Sequence, residues 1–160
     1  GIVRSYRDSY ALPLSIAYPF NHESPIRPDT FVFGKVLSGL RRMRSGGGER
    51  ITLGDLNVVR DWGWAPDYAE AMLSMSELEQ PTELILATGY SVSLRAAIAS
   101  LVCAAGLEWN EAIAAPDARL SHHAASDEQH ADPSRAMNTI GWTGSTPFPG
   151  LAAKLISDPH

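Results

Sequence analysis

Three short apolar segments of strand type each precede a segment with helical periodicity, and this alternation constrains the fold more than any other feature of the sequence. The segments are "LPLSIAYPF" at 12–20, "ITLGDL" at 51–56 and "TELILATG" at 82–89. Their apolar and β-branched residues, bounded by Pro and Gly, predict strands. Because a helix follows each strand, the order is β-α-β-α-β-α, which is typical of an α/β fold with a parallel sheet.

The first of these helices is predicted within residues 29–47, which read "DTFVFGKVLSGLRRMRSGG". Asp29 or Thr30 is the expected N-terminal cap, because a short polar side chain satisfies the free N–H groups at a helix start. Glycines end the segment. The arginines of the last turns suit the negative end of the helix dipole, so we interpret this basic cluster as part of the helix and not as a nucleic-acid site. The expected apolar face consists of Phe31, Val32, Val36, Leu37 and Leu40.

The second helix is predicted to begin near Pro66, a favoured first-turn residue, after a turn that contains "RDWG" at 60–63. The third helix is expected to follow Ser91 or Ser93 as its cap and to end at Gly106. A short capped helix is also predicted to end at the glycine of "DPSRAMNTIGW", and a last helix follows the turn "TPFPG". The buried stripe of the second helix is expected to consist of Ala69, Met72, Leu73 and Met75.

The charge and the apolar pattern exclude several classes of function. The net charge of -5 argues against a general nucleic-acid or anionic-membrane surface. No apolar run approaches the about 20 residues that a membrane span needs. The N-terminal residues also lack the pattern of a signal peptide, so a cytoplasmic protein is expected. The single cysteine, Cys103, has apolar neighbours and is predicted to be a buried small hydrophobe.

Common cofactor and metal motifs are absent from the sequence. The glycines of "SGGGER" at 45–50 follow a helix, whereas a phosphate-binding loop must follow a strand and open a helix, so we interpret them as a flexible turn. Histidines at 122, 123 and 130 lie near Asp127 and Asp132. Their spacing does not place them on one face of a helix, so a solvated loop is favoured over a zinc site.

Polar residues after the first strand indicate an anion site. His22 follows that strand directly, and Arg27 and Lys35 add positive charge on the same side. Open α/β sheets bind ligands at the carboxyl ends of their strands. Arg60 either contacts a phosphate or forms a structural pair with Asp61, and the pattern leaves both interpretations open. From the residues alone, the chain is predicted to be part of an α/β domain with an anion site.

Residues 2–10 have helical spacing but no capping residue before them. We interpret this segment either as a frayed helix or as the continuation of a longer helix.

Five stretches of the sequence resemble the GDP-mannose 4,6-dehydratase family of extended short-chain dehydrogenases/reductases. They are "RSYRDSYAL", "FNHESPIRPDTFVFGK", "LGDLNVVRDWGWAPDYAEAM", "LILATGYSVSLR" and "DPSRAMNTIGW". The resemblance is dense over 4–107 and thin afterwards, and "NHESP" together with "RDWG" is its specific part. It implies an α/β fold in which residues 1–160 form the C-terminal part of a Rossmann-like doubly wound sheet and the small substrate-binding subdomain.

The resemblance also implies a reaction. In the family, bound NADP takes a hydride from the sugar C4, water is eliminated across C5 and C6, and the hydride returns to C6. A Tyr–Lys pair, a Thr or Ser and a Glu carry this chemistry, and all of them would lie upstream of Gly1. The chain is therefore expected to contain no catalytic residue, to be inactive alone, and to need a missing N-terminal half. The helix matching 1–10 would lie near a dimer interface.

The remaining binding residues follow from the resemblance position by position. His22 and Arg27 match the family positions that contact NADP. Four further residues match positions that contact the nucleotide-sugar; they are Asn21, Lys35, Arg60 and His122.

The sequence departs from the family pattern in two places. His122 stands where the family has a diphosphate-binding Arg, and Ala125 where it has a nucleotide-binding Glu. Ile26 and Pro28 replace an Arg and a Gly. Because His is a weaker phosphate partner than Arg, a nucleotide-sugar other than GDP-mannose stays open.

Three hypotheses follow for the chain. The favoured one is the substrate-side part of an NADP-dependent nucleotide-sugar dehydratase. The alternatives are a non-catalytic module that binds a nucleotide-sugar or a protein partner, and an α/β domain without a ligand, which the clustered basic residues disfavour. Loss of the upstream strands would expose a sheet edge, so the isolated chain is expected to self-associate.

Overall fold

The fold is described from a computed structural model, which covers residues 1–120, 128–144 and 146–157. Its first sheet has two parallel strands, β1 (Ile16–Pro19) and β4 (Glu83–Leu86). One face of β4 is buried, and it carries Leu84 and Leu86. These two strands confirm the first and third predicted strands.

The second sheet lies beyond the carboxyl end of the first. Its central strand is β3 (Val59–Trp64), which pairs in parallel with β2 (Asn21–Glu23) and antiparallel with β5 (Ser91–Ser93). Only one residue, Phe20, separates β1 from β2, and its N–H donates to the Leu86 carbonyl at 2.8 Å. The chain therefore passes directly from one sheet into the other.

Helices cover both sheets. In the described part of the chain they are α1 (Ile2–Tyr10), α2 (Val32–Arg44), α3 (Ala65–Ser76), α4 (Leu94–Ala104), α5 (Trp109–Ala112), α6 (Ser134–Ile140) and α7 (Gly150–Ser157), with a 3-10 turn at Ala118–Leu120. Within the same ranges, none of these helices has both the length and the apolar character that a membrane crossing requires.

The buried apolar residues form two clusters. The larger cluster joins α2, α4 and α7 around Trp62 of β3. The smaller one packs α3 and α6 against β4, with Tyr68, Leu84 and Leu86 among its members. The predicted α/β layering is therefore present, with helices that pack on strands as the apolar periodicity requires.

One predicted strand is not observed, and three observed strands, β2, β3 and β5, were not predicted. Residues 51–56 do not form a strand; Ile51 makes only an isolated bridge to Ile113. Strand β3 forms instead and contains the "RDWG" stretch that was predicted to lie in a turn, and β2 lies among the polar residues that follow the first predicted strand. In β3 the Asp61 carboxylate is buried and accepts three hydrogen bonds. The local pattern of polar residues does not indicate that this side chain is buried in a strand.

The helix caps were predicted with mixed success. Ser93 caps α4, and its hydroxyl accepts a hydrogen bond from the Ala96 N–H at 3.2 Å, as expected. At α2 the predicted Asp29 or Thr30 cap was wrong, because the helix begins after Phe31 and makes no side-chain cap hydrogen bond. Asp29 instead accepts from the Ser38 hydroxyl at 2.6 Å.

Two predicted burial patterns were also wrong. Helix α3 buries Tyr68, Ala71 and Met75, whereas Met72 and Leu73 are 41% and 63% exposed. The buried face of α3 begins at Tyr68, an aromatic residue that the predicted stripe does not include. Cys103 is exposed on the side of α4 that faces away from the core, so its predicted burial is not observed.

The side chain of Asp61 connects the two sheets. It is fully buried on β3 and accepts hydrogen bonds from the Thr88 N–H at 3.0 Å, the Thr88 hydroxyl at 2.8 Å and the Gly89 N–H at 2.7 Å. Thr88 and Gly89 follow β4, so this carboxylate holds the end of one sheet against the other. Hydrogen bonds to a charged acceptor are among the stronger ones in proteins.

We expect the substitution D61N to lower the free energy of unfolding by about 2 kcal/mol, because the amide nitrogen would face a buried N–H donor. Urea denaturation followed by tryptophan fluorescence measures this. The matched control is D8N, since the Asp8 side chain is 72% exposed and exposed substitutions change stability by about 0.5 kcal/mol or less. Equal stabilities of D61N and D8N would contradict this role.

Helix α1 buries none of its residues. It contacts the first sheet through ion pairs of its arginine side chains with Glu83. Arg4 donates to the Glu83 carboxylate with Nε at 2.8 Å, and Arg7 lies 3.1 Å from the same group. The Tyr18 hydroxyl completes the cluster at 3.1 Å. Hydrogen bonds from Arg4, more than those from Tyr18 and Arg7, lower the pKa of Glu83 from 4.5 to about 2.

This lowered pKa predicts a pH-dependent contribution to stability. The folded carboxyl loses its proton more readily than the unfolded one, so its contribution is present above pH 4.5 and disappears as the pH falls toward about 2. Wild type should therefore be more stable than E83Q at pH 7, and the difference should shrink through that window. Urea denaturation of both proteins from pH 7 to pH 2 measures it; a constant difference would contradict the assignment.

Candidate functional site

The first cavity opens where β1 ends. This His22 cleft has a volume of about 680 Å³, and its wall is completed by the segment 128–130, which runs beside β3. Its position agrees with the rule that open α/β sheets bind ligands beyond the carboxyl ends of their strands. The lining residues are Pro19, Phe20, Asn21, His22, Arg27, Glu128, Gln129 and His130.

The orientation of His22 in this cleft is fixed by two contacts. Its Nδ1 lies 2.8 Å from the Phe20 carbonyl oxygen, so in the neutral ring the proton is on Nδ1 and Nε2 has the lone pair. Its ring packs on Tyr68, with 5.0 Å between the ring centroids. A ligand in the cleft therefore meets an imidazole in one defined orientation and tautomer.

Arg27 is held in the same cleft by a buried ion pair. Its Nε lies 2.8 Å from the Glu23 carboxylate, and its Nη2 donates to the His22 carbonyl at 2.8 Å. Glu23 is only 5% exposed, and burial raises its pKa while the Arg27 hydrogen bond opposes that rise. The pair raises the pKa of Arg27. Nη1 of the guanidinium retains two N–H groups with which Arg27 can bind an anion.

A glycine in α2 allows this loop to close. A Cβ on Gly34 would lie 2.5 Å from the Arg27 carbonyl oxygen and closer still to that of Pro28. Real Cβ atoms do not approach backbone oxygens so closely. The absence of a side chain at Gly34 thus allows the Arg27 loop to pack on the helix.

The second cavity lies on the other side of the same loop. This Lys35 pocket has a volume of about 330 Å³. The Lys35 ammonium donates to the Thr52 carbonyl at 2.6 Å, which keeps the charge at the pocket wall and leaves two N–H donors. The lining residues are Asp29, Thr30, Phe31, Val32, Lys35, Leu53, Gly54, Asp55, Val58, Leu94 and Leu120.

Arg27 also connects the two cavities. Its guanidinium carbon lies 4.5 Å from the centre of the Phe31 ring, and that ring lines the Lys35 pocket. The two cavities therefore share one wall, built from a cation and an aromatic ring.

The other expected site residues lie in different places. Asn21 lines the His22 cleft and its amide donates to the Asp61 carbonyl at 3.3 Å. Arg60 is half-buried on β3, donates to the Val59 carbonyl at 2.7 Å, and is absent from the linings of both cavities. His122 and Ala125 lie outside the described residues. The alternative of a structural pair between Arg60 and Asp61 stays a prediction.

The sequence interpretation missed several residues that line the two cavities or position their side chains. Glu23 was assigned no role, although its i,i+4 spacing to Arg27 is the spacing of a side-chain pair. His130 was considered only for metal binding, but it lies in the His22 cleft, 3.4 Å from Glu128. No group of metal-binding side chains occurs in the described part of the chain. Asp55 lines the Lys35 pocket, and no sequence pattern around it marked it as a lining residue.

Sequence comparison associates this chain with known proteins. The profile of a family described as GDP-mannose 4,6 dehydratase matches residues 1–155. GDP-mannose 4,6 dehydratase 1 of Arabidopsis thaliana is 31% identical over 96% of this chain and 42% of its own length. GDP-mannose 4,6 dehydratase of Dictyostelium discoideum is 42% identical over 59% of this chain and 26% of its own length. The chain thus spans less than half the length of these curated relatives.

Structural comparison agrees on the fold. RMD from Pseudomonas aeruginosa, solved with NADPH, has a TM-score of 0.84 and 21% identity over 98% of this chain and 50% of its own. The dTDP-glucose 4,6-dehydratase of Bacillus anthracis, solved with NAD, has a TM-score of 0.79 and 15% identity over 97% and 47%. These two likenesses confirm the predicted Rossmann-like α/β fold.

The close packing at Gly34 yields a test of the loop geometry. We expect G34A to lower the free energy of unfolding by about 1–3 kcal/mol, as overpacking does, because the Arg27 loop must move away from α2. The control is G47A, whose Cβ would lie 3.9 Å from its nearest neighbour, the Arg42 carbonyl oxygen. Urea denaturation compares the two variants. A G34A protein as stable as G47A would show that the loop does not pack as described.

Proposed function

The chain belongs to the GDP-mannose 4,6 dehydratase family, and from this premise we propose that it is the nucleotide-sugar-binding half of an NADP-dependent GDP-mannose 4,6-dehydratase. The proposed reaction converts GDP-mannose to GDP-4-keto-6-deoxy-mannose and water. Residues 1–160 form the C-terminal, substrate-binding unit in this proposal, and an upstream half binds most of the cofactor. The observation that carries it is the pair of cavities that share the Arg27–Phe31 wall at the carboxyl end of β1.

The residues of the His22 cleft fit a phosphate-bearing cofactor. Arg27 offers the two N–H groups of Nη1, and the neutral His22 offers Nε2 as an acceptor for a hydroxyl group. Both side chains are already held by protein contacts, so little conformational entropy is lost when they bind. A bound NADP would supply reversible hydride transfer, and in this proposal His22 and Arg27 would hold the part of the cofactor that reaches this cleft.

The Lys35 pocket fits the nucleotide part of the substrate. Lys35 supplies a positive charge to the diphosphate, and the apolar lining takes the base. Asn21, on the cleft side, is proposed to face the sugar, and Arg60 to bind the diphosphate together with His122. The chain thereby fixes the position of the sugar relative to a cofactor bound between the two halves.

The chemical step belongs to the upstream half in this proposal. The sequence contains lysines only at 35 and 154, and neither lies four residues after a tyrosine, which is the spacing of the catalytic pair of this family. The contribution of this chain is to bind and orient the substrate, which lowers the entropic part of the barrier.

A partner surface on α1 is part of the same proposal. The helix exposes Ile2, Val3, Tyr6 and Tyr10, and its hydrophobic residues are unusual for a solvent-facing helix. The upstream half or a second copy of the protein is the proposed partner.

The proposal predicts binding without turnover. The isolated chain should bind GDP-mannose but form no 4-keto sugar with NADP. We expect K35Q to weaken binding about tenfold, because it removes a charge-assisted contact to phosphate. Isothermal titration calorimetry measures binding, and mass spectrometry of the nucleotide-sugar detects product.

The other lysine provides the matched control. K154Q removes the same charge near Thr146, away from the cavities, and should bind GDP-mannose as wild type does. Urea denaturation of both variants separates lost binding from lost folding. Turnover by the isolated chain, or equal binding by K35Q and K154Q, would overturn the proposal.

A further inference from the structure

We propose that Glu23 is a positioning residue of the His22 cleft, and that it determines how a ligand can contact Arg27. Its carboxylate occupies one donor edge of the guanidinium, so a ligand reaches Arg27 only through Nη1. Its charge offsets that of Arg27, so free phosphate compounds bind weakly in the cleft. The inference deepens the proposed function and rests on it, because it assumes that the cleft receives part of a cofactor that other contacts also hold.

Most donors of Arg27 already have partners in the protein. Its Nε donates to Oε2 of Glu23 at 2.8 Å, and its Nη2 donates to Oε1 of the same carboxylate at 3.2 Å and to the His22 carbonyl at 2.8 Å. A guanidinium has five N–H groups in a planar fork, so the two on Nη1 remain. Arginine binds phosphate most strongly through parallel N–H groups of two nitrogens. Arg27 offers a ligand the donors of one nitrogen only.

The face and the backbone of Arg27 are restrained as well. The guanidinium carbon lies 4.5 Å from the centre of the Phe31 ring, which covers one face of the group. A Cβ on Gly34 would lie 2.5 Å from the Arg27 carbonyl oxygen, so the backbone of Arg27 packs directly on α2. The direction in which Nη1 points is therefore set by the protein and not by the ligand.

The burial of Glu23 favours a binding role over a role in stability alone. Glu23 is 5% exposed, and the Arg27 side chain is 27% exposed. Removing a carboxylate from water is costly, and a buried ion pair often stabilises a fold no more than apolar side chains of similar size do. The property that the pair adds is its geometry, in which one edge of the guanidinium is bound and Nη1 stays available.

The charge of Glu23 also affects which ligands bind. An anion in the cleft is attracted by the guanidinium and repelled by the adjacent carboxylate, so a free phosphate compound gains little from charge. A cofactor that the upstream half also holds brings its acceptor to Nη1 without depending on that attraction. The arrangement therefore favours a ligand positioned by several contacts over free phosphate compounds.

The test uses pyrophosphate as its probe, and calorimetry on the 160-residue chain measures the dissociation constant. The substitution E23Q removes the charge and keeps the size of the side chain. E23Q should bind pyrophosphate about tenfold more tightly than wild type, because an anion no longer meets the carboxylate. The gain should disappear in E23Q/R27Q, since it depends on the guanidinium. A merely structural role for Glu23 predicts no gain.

The matched control is E83Q. Glu83 also holds an arginine, since Arg4 Nε donates to its two oxygens at 2.8 and 3.0 Å, but it lines neither the His22 cleft nor the Lys35 pocket. E83Q should bind pyrophosphate as wild type does. Equal affinity in E23Q and wild type, or a gain that E83Q or E23Q/R27Q shares, overturns the inference.

A second measurement uses wild type and does not depend on the folding of E23Q. In nuclear magnetic resonance spectra, with R27K identifying the signal, the Arg27 Nε–H should exchange with deuterium more slowly than that of the exposed Arg44. Equal exchange rates overturn the inference.

These outcomes are separate from those of the proposed function. If GDP-mannose binding depends on Lys35 while E23Q shows no gain, only the role of Glu23 fails. If E23Q shows the gain while the chain does not bind GDP-mannose, the proposed function fails and the effect of Glu23 on anion binding stands.

Discussion

The buried carboxylate of Asp61 is the interaction on which the position of the candidate site depends. It lies on β3, in the second sheet, and its three donors belong to Thr88 and Gly89, which follow β4 in the first sheet. A buried charge is tolerated only when its hydrogen bonds are satisfied, and here they are supplied mostly by backbone N–H groups. The two sheets are therefore held in one relative position, and the chain between β1 and α2 must cross the junction that this carboxylate defines.

The segment from the end of β1 to the first turn of α2 builds both cavities, because its side chains lie on opposite sides of one wall. His22 faces the first cavity, Lys35 faces the second, and Arg27 contacts both through Phe31. Glu23 holds Arg27 in place through an ion pair, and the absence of a side chain at Gly34 allows the loop to pack on α2. Residues that are proposed to bind a ligand and residues that position them are thus interleaved between positions 21 and 35.

The sequence predicted well those elements whose formation depends on residues that are neighbours in the chain. The apolar runs of β1 and β4 and the Ser93 cap follow from neighbours in the chain. Strand β3 was missed because its polar residues are satisfied by partners far away in sequence, and β2 because it exists only as a partner of β3. The same reason applies to the site. His22 and Arg27 were predicted to lie near each other because both follow the first strand, whereas the place of Glu128 and His130 in the cleft wall depends on the tertiary fold.

The side chains that the fold holds in place around the two cavities bear on how the chain functions. The Glu23–Arg27 ion pair and the hydrogen bond from Lys35 to the Thr52 carbonyl hold two cations at the walls of the two cavities. A binding surface of this kind acts on a reaction only by fixing one reactant relative to another. The shared Arg27–Phe31 wall joins the two cavities, because the Phe31 ring that lines the Lys35 pocket lies 4.5 Å from the guanidinium carbon of Arg27, which lines the His22 cleft.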